Sequence, residues 1–141
     1  MTWTEKLGID KHVDLKSLIF GSAIATTFVI IGMRGGQFEY AYPLTSIGFL
    51  YVGYKSNNRK MAALLGAIAA IPIAILAQYG GFGTVPDAQG LIMIAAIVMI
   101  VGLFVSVVGH RVKTDREKAK VEYEKQQKKG KNKKNKNKNK K

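Results

Sequence analysis

No cysteine occurs among the 141 residues, which excludes disulfide bonds, thiolate nucleophiles and cysteine-based metal sites. Histidine is nearly as scarce. His12 and His110 stand alone, and neither has ligand spacing to a second histidine or carboxylate of the kind a bound metal requires. No serine lies in a nucleophile-elbow pattern, and Gly80, Gly81 and Gly83 lack the lysine and the strand-to-helix setting of a phosphate loop. We therefore expect no catalytic residue, no metal and no cofactor, and a protein that is not an enzyme.

Acids are few, nine against 22 Lys and Arg, and between residues 17 and 109 charge of either sign is almost missing. Residues 111–141 hold 15 of the 22 bases and four of the nine acids. The tail thus supplies most of the formal charge of +13. A hydrophobic fraction of 48% and a mean hydropathy of +0.04 resemble an ordinary soluble domain only because they average two unlike materials. Residues 1–14 read as a cytoplasmic lead-in, 15–110 as a membrane domain and 111–141 as a polybasic cytoplasmic tail. In the lead-in, Thr2 and Glu5 have capping-box spacing, and Trp3 and Leu7 share a face. Its mixed charges, with no small-residue cleavage site after the first apolar run, predict that the first span is retained rather than cleaved.

The segment that decides the class is LIMIAAIVMIVGLFVSVVG, residues 91–109, without one charged side chain. At about 1.5 Å per helical residue it is long enough to cross a hydrocarbon core of about 30 Å. Three further spans are predicted at 15–33, 38–54 and 61–79, giving an all-α integral membrane bundle of four helices. Asp14 is the expected cap of the first. In the second, Glu39 and Pro43 fall in the first turn, and tyrosines at both ends resemble interfacial belts. Pro72, inside the third, predicts a kink and a freed carbonyl at Ile68.

Small residues recur one turn apart in these spans, and such stripes admit close helix neighbours in lipid. Ser17, Gly21 and Ala25 form one stripe, Ala62, Gly66, Ala70 and Ala74 another, and Gly102 and Ser106 continue the theme. Gly66 and Ala70 are expected at a helix contact, with Gly21 and Ala25 as the counterpart. Thr26 and Thr27 are expected to bond back to their own helix.

Orientation follows from the bases. With the amino terminus inside, 21 of them are cytoplasmic and Arg34 alone is outside. Both termini are then cytoplasmic in a multi-pass protein of the cell membrane. Beyond Arg111 the charges alternate as on an exposed helix, Gly130 is expected to end it, and the last dozen residues are expected to be disordered. Lys125, Lys128, Lys129, Lys131, Lys133, Lys134, Lys136, Lys138, Lys140 and Lys141 are placed to contact a polyanion. Anionic lipid headgroups are the first expectation, at about 1 kcal/mol per base near the surface. A tail that only fixes topology and keeps the chain soluble comes second. RNA, including a ribosome at the membrane, comes third, because no aromatic residue beyond Tyr123 offers base stacking.

Ion or proton transport normally leaves an ionisable group inside the bundle, and none is deep here. Four-span exporters of the small multidrug-resistance family rely on an acid in the first span, where this chain has Thr26 and Thr27. Arg34, Glu39, Gln78 and Asp87 fall near the outer face. The stretch YVGYKSNNRKMAALLGAIAAIPIAIL, residues 51–76, with the Lys/Asn tail, resembles small four-span membrane proteins of unassigned function from archaea with AT-rich genomes. Phage holins are also similar in joining short apolar spans to a lysine-rich tail. We expect a non-catalytic accessory or scaffolding component, in contact with a membrane partner or with its own copies. The alternatives are a pore of holin type and a small transporter lacking an intramembrane charge.

Overall fold

The structure is a computed structural model that describes the backbone of residues 11–80 and 85–138 and the side chains of 15–80 and 85–128. Every regular element among them is helical. In chain order these are α1 (Lys11–Gly32), a 3-10 turn (Gly36–Tyr40), α2 (Ala41–Lys55), α3 (Arg59–Ala69), α4 (Ile71–Ala77) and α5 (Ala88–Lys138). Two compact units result, Met1–Arg111 and Val112–Lys141. Three segments are long and apolar enough to cross a membrane: Leu15–Gly32, Arg59–Ala77 and Ala88–Lys128.

α1 begins before Asp14, which therefore lies inside the helix and is not its cap. The cap signals at Thr2 and Glu5, with Trp3, Leu7 and the rest of residues 1–10, lie outside the described residues. α1 ends at the Arg34-Gly-Gly break, where Gly35 and Gly36 have φ of 71° and 60°. Such angles are open to glycine at little cost and turn the chain. Glu39 stands in the 3-10 turn, one element earlier than expected, while Pro43 is in the first turn of α2. The shift shortens the regular helix to 15 residues, about 22 Å.

α2 is the hub. Its buried residues, Ala41, Thr45, Gly48, Phe49, Val52 and Gly53, wrap around more than one face. Along α1, Tyr42 meets Gly32 and Gly48 meets Gly21 and Ala25, so the two helices run antiparallel. Along α5, Thr45 shares a wall with Ile97 and Val98, Phe49 meets Gly102 and Ser106, and Ser56 meets His110, so α2 and α5 run parallel. The core of this unit joins Ala25, Val29, Phe49, Val52, Met61, Leu65, Ala69, Ala70 and Ile73.

The third expected span is two helices parted at Ala70. Pro72 sits in the first turn of α4, where its missing donor is not needed, and N–H groups at the end of α3 bond to the carbonyls of Ala67 and Ile68. The Ile68 carbonyl that proline frees is thus satisfied by a tighter turn. Met61, Leu65, Ala69, Ile73 and Ala77 keep one buried stripe across the break.

Two side-chain caps start the later helices. The Asn58 side chain accepts from the Met61 N–H at 2.7 Å and starts α3. Asp87 accepts from the Gly90 N–H at 2.7 Å and starts α5 three residues ahead of the predicted span. At the other end α5 passes through Gly130 to Lys138, so the expected stop there is corrected. A glycine inside a helix costs about 1 kcal/mol, which flanking Lys and Gln, good helix formers, offset.

Candidate functional site: glycine seams and a basic arm

Helix α5 closes on α2 and α3 so tightly that only glycine fits at several positions. A Cβ at Gly66 would lie 2.6 Å from the Cβ and Oγ of Ser106, and closer still to the Gly102 carbonyl. One at Gly102 would meet the Gly66 carbonyl, and one at Gly53 would overlap the backbone of Ser106. The seam is also hydrogen-bonded. Ser106 Oγ is buried and donates to the Phe49 carbonyl at 2.8 Å, and His110 Nδ1 lies 3.2 Å from the Ser56 carbonyl oxygen. Since a carbonyl only accepts, the contact assigns that proton to Nδ1. Ser56 is itself buried, its hydroxyl donating to Val52 O at 2.8 Å.

The second seam joins α1 to α2. Ser17, Gly21, Ala25 and Val29 are all buried along one face of α1. A Cβ on Gly21 would stand 2.7 Å from the Gly48 carbonyl, and one on Gly48 would stand 2.8 Å from the Ala25 Cβ. Ser22 reaches across to the Ala69 carbonyl at 3.3 Å.

Most of the small residues singled out in the sequence are buried: Ser17, Gly21, Ala25, Ala62, Gly66, Ala70, Gly102 and Ser106. Ala74 is only half-buried. The expected pairing is corrected. Gly66 faces Gly102 and Ser106, while Gly21 and Ala25 face Gly48 and Val52. Gly48, Gly53 and Gly109 were missed, although Gly102, Ser106 and Gly109 recur at helical spacing and would have revealed the α5 face. Thr27 donates back to Ala23 O at 2.8 Å as expected.

Between the start of α2 and α5 lies a cavity of about 250 Å³, lined almost wholly by apolar groups, with Thr45 in its wall. Arg34, Glu39, Gln78 and Asp87 are exposed. Among the described residues no group of three or more His, Asp or Glu is placed to hold a metal ion.

In the second unit Lys125 and Lys128 are exposed on α5. The backbone of Lys129, Lys131, Lys133, Lys134, Lys136 and Lys138 is helical, and Lys140 and Lys141 lie outside the described residues. The part of α5 from Val112 to Lys138 amounts to about 40 Å of helix.

The chain matches no known family model, no curated protein and no solved structure.

Proposed function

We propose that this chain is a four-span protein of the cell membrane with both termini cytoplasmic. In this reading it is a non-catalytic accessory or scaffolding component whose basic arm lies against anionic headgroups. The observation that carries the reading is that α2 runs antiparallel to α1 and parallel to α5. It returns the chain after Lys55 to the end of the bundle where α1 starts and the apolar part of α5 finishes. Lys55, Arg59, Lys60 and Arg111 gather toward that end, whereas the turn with Arg34 and Glu39 and the Asp87 cap occupy the opposite one. This is the distribution that the positive-inside bias requires of four spans. A short α2 fits the same slab because its flanks are covered by longer apolar neighbours and its 3-10 turn extends it toward the interface.

The scaffolding role rests on where polar chemistry is spent. The buried hydroxyl of Ser106 bonds to the Phe49 carbonyl and so joins α5 to α2, while that of Ser56 closes back on Val52 O of its own helix. The basic helix supplies the surface for a partner, each lysine adding attraction to anionic lipid.

The native chain lacks cysteine, so single cysteines report topology directly. Gln37→Cys and Asn57→Cys, at the two exposed ends of α2, should react with an impermeant maleimide from opposite sides of sealed vesicles. Reaction of both from one side would remove α2 as a span. In the same induced cells, a membrane-potential dye should stay steady while a larger complex copurifies. Abrupt depolarisation would replace the scaffold by a pore of holin type.

A further inference from the structure

α2 and α5 are drawn together at one end only, where Gly53 meets Ser106 and Gly109 meets Leu50. Toward the start of α2, Tyr42, Pro43 and Ser46 stand across from Ile97, Val98 and Val101, and the cavity of about 250 Å³ opens between them. Its inner wall is formed by Phe49, Ile73 and Val29, all but fully buried. Its mouth is formed by Ile97 and Val101, which are about half exposed.

One group in that wall is out of balance. Thr45 is 8% exposed, and its Oγ1 is the buried side-chain polar atom without a hydrogen-bond partner among the described residues. Thr27, Ser46 and Ser56 turn their hydroxyls back onto their own helix, to Ala23 O, Pro43 O and Val52 O, and Ser22 and Ser106 donate across to Ala69 O and Phe49 O. Thr45 does neither, and a buried hydroxyl left unpaired is costly. Thr45 lies four residues into α2, about 6 Å along its axis. It is therefore about one turn from the Glu39–Tyr40 turn.

We propose that this cavity binds one hydrocarbon chain of a bilayer lipid, seated so that an oxygen at the head end of that chain pairs with the Thr45 hydroxyl. The proposal rests on the four-span reading, in which the mouth at Ile97 and Val101 opens onto lipid. An apolar cavity of about 150 Å³ in an engineered protein stays dry and takes up benzene or xenon. The larger space here suits a longer apolar body, and acyl chains are the solvent that reaches it.

Native mass spectrometry of the full chain, extracted in mild detergent and then titrated with phosphatidylglycerol, tests this. The wild-type chain should retain one lipid through delipidation and rebind one from the titration. Val101→Phe, which fills the mouth, should abolish retention, while Val108→Phe, exposed on α5 beyond the cavity, should leave it unchanged. Thr45→Val, which keeps the shape, should weaken rebinding about fivefold, the factor of one net hydrogen bond. A wild-type chain that holds no lipid, or a Val101→Phe chain that holds as much as Val108→Phe, overturns the site. Unchanged rebinding by Thr45→Val overturns the hydroxyl's part in it. Failure of the four-span reading is separately visible, as maleimide labelling of Gln37→Cys and Asn57→Cys from one side. Correct labelling without retained lipid sinks the cavity proposal alone.

Discussion

The α1–α2 seam and the α5 seam both bring backbones to glycine distance, yet they differ in what fills the contact. Between α1 and α2 the surface is Gly21, Ala25 and Val29 against Gly48 and Val52, held by packing. Between α5 and its neighbours the same closeness is joined by a buried hydroxyl, Ser106, that donates across the interface to Phe49 O. In lipid there is no water to release, so packing and interhelical hydrogen bonds drive association. The α5 seam adds the Ser106 bond to its packing, while the α1–α2 seam brings Gly21 and Ala25 against Gly48 and Val52. That difference should make the α5 seam more specific in register, since a hydrogen bond tolerates less sliding than a smooth glycine face.

The largest effect is expected at Gly53, where the two helices approach most closely. Gly53→Leu would force a side chain into the backbone of Ser106, and neither helix can yield without giving up the Ser106–Phe49 bond. Overpacking typically costs about 1–3 kcal/mol and occasionally more, and this site belongs at the top of that range. Thermal aggregation in detergent should show the variant far less stable than wild type, or unable to accumulate. A mild variant would mean that α5 does not close on α2 as described.

Gly66→Leu comes next. Its neighbours are the Gly102 carbonyl and the Ser106 side chain, and the side chain of Ser106 can rotate as a backbone cannot. A loss of about 1–3 kcal/mol is expected. Ile75→Leu, on an exposed position of α4, should stay within about 0.5 kcal/mol of wild type. Equal stability of the two variants would place Gly66 on the wrong face.

How far these seams could be read from sequence depends on what a stripe encodes. Four-residue spacing identified Gly21 and Ala25, and Gly66 and Ala70, as positions where a helix is approached, because that spacing puts residues on one face. It carries no information about which helix approaches. The pairing is set by α2, whose Gly48 and Gly53 are five residues apart and so point about 140° apart around the axis. One glycine faces α1 and the other α5. Four-residue repeats do not contain that spacing, so they leave the partner of α1 undetermined. The apolar lengths of α1 and α5 were legible because hydrocarbon thickness imposes them. The break at Ala70 was legible from Pro72, but its resolution into two helices depends on the Ile68 carbonyl finding a nearer donor. The continuation through Gly130 was not legible, because a single glycine weakens a helix without deciding its end.

The smallest expected effect separates the two seams most directly. Ser106→Ala removes the cross-helix donor but keeps the volume small, so packing at Gly53 and Gly66 survives. The Phe49 carbonyl lies within helix α2 and retains its place in the helical backbone ladder, so it is not orphaned. The loss should resemble other interhelical bonds in membranes, about 0.6 kcal/mol and at most about 1.7. If register is what this hydroxyl supplies, the variant should stay nearly as stable as wild type while cysteine pairs across α2 and α5 crosslink over a wider set of positions. Crosslinks between α1 and α2, whose seam has lost nothing, should keep their wild-type pattern. Broadening at both seams would mean that Ser106 stabilises the whole bundle, and no broadening at α5 would mean that glycine packing alone fixes its register.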